Sequence, residues 1–171
     1  MKRIITMDKK DYTPDMPRFR RPSVRAVIIR DGMAAMVYSR KFDYYKFPGG
    51  GIENEESHME ALIREVSEET GLTIIPGTVR EYGSVLRVQR SNVDNNVVFE
   101  QENFYYLCET EDGCGSQDLD EYENDEGFML QFVNPDHAIE VNRTHDHYGY
   151  DQQMLEREAK VLDHLKENGY F

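Results

Sequence analysis

Three glutamates, Glu65, Glu68 and Glu69, fall within one stretch of five residues, downstream of a glycine run in "FPGGGIENEESHMEALIREVSEETGL". The segment from Ser57 to Thr70 is predicted to be helical. Ser57 and Glu60 match the capping box S-x-x-E, and Gly71 stands where a left-handed C-terminal cap belongs. Like charges three and four residues apart on a helix repel. At about 100° per residue, Glu68 and Glu69 fall within about 60° either side of Glu65. Ala61 is expected on that open face, with Met59, Leu62, Ile63, Val66 and Thr70 turned to the core. Arg64 lies one turn before Glu68 and offsets part of the repulsion. Three clustered glutamates usually form a solvated face. Here no lysine is interleaved, and the preceding glycines let the backbone come close to a ligand. Grouped carboxylates near backbone carbonyls suit hard divalent ions such as Mg²⁺ or Mn²⁺. Such ions bridge phosphates, polarise them and activate water.

The elements that must position these groups are legible around them. "SVRAVIIRDGMAAMVYSR" reads as two strands, with Asp31-Gly32 as a hairpin turn. "KFDYYKFPGGG" leads into the glycine loop, and "LTIIPG" reads as a short strand broken by Pro76 and Gly77. "TVREYGSVLRVQRS" and "VVFEQENFYYLCET" read as strands joined by the turn "NVDNN". Residues 111–127 are acidic and poor in apolar side chains, which predicts a loop with a short helical turn. "FMLQFV" is a strand, and "NPDHAIEVN" turns into a short helix. In the last segment Met154, Leu155, Ala159, Val161 (or Leu162) and Leu165 recur at helical spacing, and Asn168 and Gly169 end the helix.

The stretch Gly50, Glu56, Arg64, Glu65, Val66, Glu68, Glu69, Gly71, Leu72 resembles the Nudix box, G-x5-E-x7-R-E-U-x-E-E-x-G-U with U a bulky aliphatic residue. Every fixed position matches, and the lead-in "FPGGGIE" is similar to the usual approach. One departure is Glu55, where many members carry glycine. The resemblance implies an α/β fold: an α/β/α sandwich around a mixed, partly closed sheet, with a glycine loop-helix-loop motif. It implies metal-dependent hydrolysis of a nucleoside diphosphate linked to some group X. The implied metal ligands are Glu65, Glu68 and Glu69 with the carbonyl of Gly49. Arg64 is expected to fix a carboxylate, Glu56 to brace the junction of loop and helix, and Glu53 to lie near the phosphates. Glu65 is the first choice of base for the attacking water, with Glu68 the alternative. Many members draw one further glutamate from a loop before an aromatic-ended strand. "ENDEGFMLQFV" is similar to that region, with Glu126 the first candidate and Glu123 the next. Markers of several subfamilies are missing. By elimination the chain resembles MutT-like members acting on a nucleoside triphosphate or related compound. The rival expectation is a nucleotide-binding or sensing domain that does not turn its ligand over.

Outside the box, Arg25, Arg40 and Lys41, then Arg87 and Arg90, are candidates to meet phosphate oxygens. Tyr44, Tyr45 and Phe47 are available to stack on a base, although core packing is the commoner role. His145, Asp146 and His147 form a weak metal pattern, and a polar loop before the last helix is the favoured reading.

Composition bounds the rest. The chain has 171 residues, 39% hydrophobic and 31% charged, with a net charge of −13. This size predicts a single domain over 1–171, with 1–20 an N-terminal extension and 150–171 a C-terminal helix. The charge disfavours a nucleic acid polymer or an anionic membrane as partner and leaves a small nucleotide bridged by divalent ions. No apolar run approaches the roughly 18 residues of a membrane span. The N-terminus lacks the apolar centre of a signal peptide, so the cytoplasm is the expected location. Cys108 and Cys114 form no CxxC pair and read as reduced structural thiols.

Overall fold

A computed structural model describes residues 1–53 and 55–171. In chain order it contains β1 (Arg3–Asp8), β2 (Arg18–Arg20), β3 (Ser23–Val27), β4 (Ile29–Arg30), β5 (Met33–Ser39), β6 (Tyr44–Lys46), α1 (His58–Thr70), β7 (Arg80–Arg90), β8 (Val98–Leu107), α2 (Glu121–Glu126), β9 (Phe128–Val133), α3 (Pro135–Thr144) and α4 (Gln152–Glu167).

The strands form two sheets, one mixed and one antiparallel. In the first, β7 pairs antiparallel with β8 and parallel with β1, while β2 and β3 lie in succession, both parallel, along the other side of β8. In the second, β9 pairs with β5, which also pairs with β4 and then β6, all antiparallel. The sheets meet at Ile28, whose carbonyl accepts from Ala35 N–H at 2.9 Å. Among the described residues neither sheet closes on itself, so the expected partial closure is not found. The N-terminal stretch 1–20 contributes β1 and β2 to the first sheet. "LTIIPG" forms no strand: Ile74 makes an isolated bridge to Thr110, and Pro76–Thr78 is a single 3-10 turn. Proline has no N–H to donate, so pairing stops there.

Period-two alternation sorts each strand between two helical layers. Val24, Ala26 and Ile28 pack with Ala61, Leu62 and Val66 of α1. Val27, with Met36 and Val85, packs on the opposite side against Ile139 and Val141 of α3 and Val161, Leu162 and Leu165 of α4. This is the α/β/α sandwich expected from the sequence.

Candidate active site

Phe47–Gly51 leaves β6 and runs beside β3. Val24 N–H donates to Gly50 O at 3.0 Å and Ala26 N–H to Pro48 O at 2.8 Å. Gly49 has φ +133°, and a Cβ there would strike the Val24 carbonyl. Only glycine fits such a close backbone approach. A Cβ at Gly50 would run into the Glu65 carboxylate, so the bare backbone is what lets Glu65 lie against the loop.

Helix α1 begins and ends as its sequence predicts. Ser57 and Glu60 complete a capping box, and Gly71 caps the C-terminus with φ 72°. Its faces differ from the expected division. Ala61 is fully buried and Met59 is exposed. Glu69 is 1% exposed. Successive turns of about 100° place Ala61, Glu65, Glu69, Leu62 and Val66 on one continuous arc, so Glu69 stands in the middle of the packed side.

Arg64 organises the accessible carboxylates. Its Nε and Nη2 donate to the two oxygens of Glu56, both at 2.9 Å. Its Nη1 donates to Glu65 Oε1 at 2.9 Å and Glu68 Oε2 at 3.1 Å. The forked pair with Arg64 holds the Glu56 carboxyl below its ordinary range. Glu68 is shifted upward, first by burial and then by Glu65 and Asp120, against the pull of Arg64. Glu69 is pushed up to about 7 by burial, opposed by Lys46 and Arg25. Its Oε1 meets the Lys46 ammonium, and its Oε2 accepts from Gly49 N–H at 2.9 Å.

The acidic loop folds over the end of α1. Gly115 N–H donates to Gly71 O at 2.8 Å and Asp118 N–H to Glu68 O at 2.9 Å. This brings α2 across a cavity of about 310 Å³, lined by Glu53, Arg64, Glu65, Glu68, Asp120 and Glu123 among others. A second cavity, of about 400 Å³, adjoins it and shares Arg21, Gly50, Gly51 and Tyr122. Its walls carry Arg25, Lys46, Arg157, Tyr44 and Tyr150.

The structure therefore brings Glu53, Glu56, Arg64, Glu65 and Glu68 to one place, and it adds Glu123 rather than Glu126. Glu126 Oε2 instead accepts from Tyr44 OH at 2.7 Å and Ser39 Oγ at 3.3 Å. Arg25 faces the second cavity, and its Nη1 donates to Gly49 O, the expected metal-ligand carbonyl. Arg40 and Lys41 line a separate surface hollow with Asp43 and Tyr148. Arg87 is buried against Asp151, and Arg90 binds Asp11. Tyr45 and Phe47 are core residues, whereas Tyr44 reaches the second cavity. His145 pairs with Asp43 and His147 Nδ1 with Phe42 O, so the two histidines serve a polar loop.

Lys46, Arg21, Tyr122 and Arg157 were not anticipated. Two of them had a signal. Lys46 interrupts the apolar run "YYKF", and Arg157 stands on the apolar stripe between Met154 and Val161. A charge at a core position requires a buried partner. Arg157 finds Glu158, with Gln101 and Asn103 at 3.1 and 2.8 Å.

Among the described residues, no three of His, Cys, Asp and Glu stand together as a ready-made metal site. Cations of the chain occupy the expected oxygen donors instead: Arg64 on Glu65 and Glu68, Lys46 on Glu69, Arg25 on Gly49. The donor chemistry fits a hard divalent ion, because carboxylate and carbonyl oxygens already converge on positive charge at the loop.

Relatives of known family share sequence and fold with this chain. An RNA pyrophosphohydrolase of Xanthomonas campestris pv. campestris is 30% identical over 125 residues, covering 72% of this chain and 53% of that protein. The one from Xylella fastidiosa is 43% identical over 53 residues, covering 30% of this chain and 28% of that protein. The chain thus spans about a quarter to a half of the curated relatives it matches. A NUDIX hydrolase structure from Nitrosomonas europaea shares the fold with a TM-score of 0.57 at 18% identity, over 84% of this chain and 90% of that one. A MutT NUDIX hydrolase from Burkholderia pseudomallei does so with a TM-score of 0.52 at 18% identity, over 69% and 85%. The NUDIX domain model matches residues 19–155, and with the box intact and its elements in place, the chain belongs to the NUDIX family.

Proposed function

We propose that the acidic cavity hydrolyses a pyrophosphate bond in a nucleoside diphosphate linked to a group X, with a nucleoside triphosphate or a related nucleotide as substrate. The observation that carries this reading is the convergence of Glu65 and Glu68 on one cationic atom, Arg64 Nη1, at a cavity they line with Glu123. Glu65, Glu68, Glu123 and the Gly49 carbonyl are the groups to hold Mg²⁺ or Mn²⁺, with Glu69 behind them. The metal, when bound, supplies charge neutralisation and a more acidic water. Glu65, held against Gly50, takes the proton of the attacking water, with Glu68 as alternative. The water oxygen forms a bond to phosphorus, and the bridging phosphorus–oxygen bond breaks with its electron pair leaving on the departing phosphate. Arg64 keeps Glu65 and Glu68 in place and Glu56 keeps Arg64 in place. No helix among the described residues is long and apolar enough to cross a membrane.

A second reading is favoured by the relatives' name: the triphosphate at the 5′ end of an RNA. Arg21, which lines both cavities, puts a positive charge at the cleft of an otherwise acidic chain. One screen tests both, with nucleoside triphosphates, oxidised nucleotides, nucleotide sugars, dinucleoside polyphosphates, ADP-ribose and a 5′-triphosphate RNA, in Mg²⁺ or Mn²⁺ and ¹⁸O-water. Label entering a phosphate product supports hydrolysis. Tight nucleotide binding with no turnover of any compound supports the sensing alternative instead.

A further inference from the structure

The two cavities form one trough with opposite charge at its ends. The first end carries Glu53, Glu65, Glu68, Asp120 and Glu123. The second carries Arg25, Lys46 and Arg157. The carboxylates that reach the basic end are already engaged, Glu69 by Lys46 and Glu158 by Arg157. Arg25 is 7% exposed, donates only to the carbonyls of Phe47 and Gly49, and keeps its Nε without a partner. The basic end therefore holds more positive charge than the chain neutralises.

Arg21 stands where the ends meet, lining both cavities. Its neighbours Arg18 and Arg20 both pair with Glu100. Among the described residues no carboxylate pairs with Arg21. Its guanidinium lies beside Gly51, where a Cβ would come within 3.3 Å of Nε and 3.4 Å of Nη2. The bare backbone of Gly51 leaves room for that planar group beside the loop.

Building on the proposed hydrolysis, we propose that the basic end seats the group X and that Arg21 selects an anionic X over a neutral one. A phosphate-bearing X would give the unpaired guanidinium and Arg25 the counter-charge that the chain withholds. A neutral X such as a hexose would leave both cations facing an uncharged group, at a cost in binding.

The test compares a nucleoside triphosphate with the same nucleoside diphosphate linked to glucose. Arg21→Ala should raise KM for the triphosphate by about tenfold or more, the scale of a charge-assisted hydrogen bond, with kcat within about threefold. KM for the sugar compound should change by less than about threefold, on that same scale. Equal effects on the two compounds, or none on either, would overturn the proposal. If neither compound is hydrolysed, the hydrolytic reading fails but the basic end can still be read by itself. Inorganic pyrophosphate is titrated calorimetrically into metal-free protein. Binding should weaken by about tenfold in Arg21→Ala. It should be unchanged in Arg80→Ala, which removes a charge at the start of β7, opposite Leu107 at the end of β8 away from β2. No binding to the parent protein, or equal binding to parent and Arg21→Ala, contradicts the assignment.

Discussion

Lys46 and Glu69 form an ion pair inside the protein, between the last residue of β6 and the last full turn of α1. The contact ties the strand that launches the glycine loop to the helix that carries the carboxylates. Breaking a buried pair leaves one charge unmatched, which costs about 3–5 kcal/mol. In metal-free buffer at about pH 8, where Glu69 is ionised, Lys46→Met should lose stability on that scale by urea unfolding, and Glu69→Gln should lose less, because burial favours a neutral side chain at that position. The double variant should lose less than the sum of the two. If Lys46→Met alone unfolds with the parent's midpoint, the pair is not holding the loop to the helix.

The same carboxyl sets a pH dependence. Burial raises Glu69 in the folded protein to about 7 from an ordinary 4.5. Between those values the folded state keeps a proton that the unfolded state has released, so this group's contribution to stability falls as pH rises from about 4.5 to about 7. Melting curves of metal-free parent protein across that window should carry this downward slope, and Glu69→Gln should flatten it. A slope identical in both proteins would assign it to other groups.

Glu123 and Glu126 differ in what surrounds them. Glu123 lines the acidic cavity, while Glu126 is held by Tyr44 and Ser39 on the other side of the loop. Glu123→Gln should move a Mn²⁺ activation curve to higher metal concentration by about tenfold or more, the scale on which metal sites respond to lost partners. Glu126→Gln should shift it much less. The reverse order would mean that the loop rearranges when metal binds.

How much of this could be read beforehand depends on range. The capping box of Ser57 and Glu60, the Asp31-Gly32 hairpin and the left-handed Gly71 are local features, and each appears where its residues put it. The apolar stripe of α4 is local too, and Met154, Leu155, Ala159, Leu162 and Leu165 are all buried. The carboxylate face is not fixed by the sequence, because helical geometry gives angles between residues and no direction to the core. Ala61 and Glu69 are expected on the open carboxylate face, yet both pack inward once β3 and the glycine loop arrive. Choosing between Glu123 and Glu126 needed the fold of the acidic loop onto Gly71 and Glu68, a contact between segments far apart in the chain.

Cys108 is buried on the α1 side of the sheet, and burial pushes its thiol up to about 12. Cys114 is exposed. A maleimide applied to native protein near neutral pH should therefore label one thiol quickly, because the thiolate is the reactive form and it must be reached. Peptide mapping should find the label on Cys114, with Cys108 reacting only after denaturation. Rapid labelling of Cys108 in native protein would contradict its packing.

Glu65 and Glu68, gathered by Arg64, are the proposed hydrolytic centre. Glu68→Gln tests it most directly, because Glu68 is at the rim of α1, 39% exposed, and can lose its charge without emptying the core. The measurement is kcat in saturating Mg²⁺ on the best substrate from the screen, alongside a melting curve. Turnover should fall by about 10²-fold or more, the scale of a lost positioned catalytic group, with the melting temperature nearly unchanged. Full turnover by a folded Glu68→Gln protein would contradict that assignment.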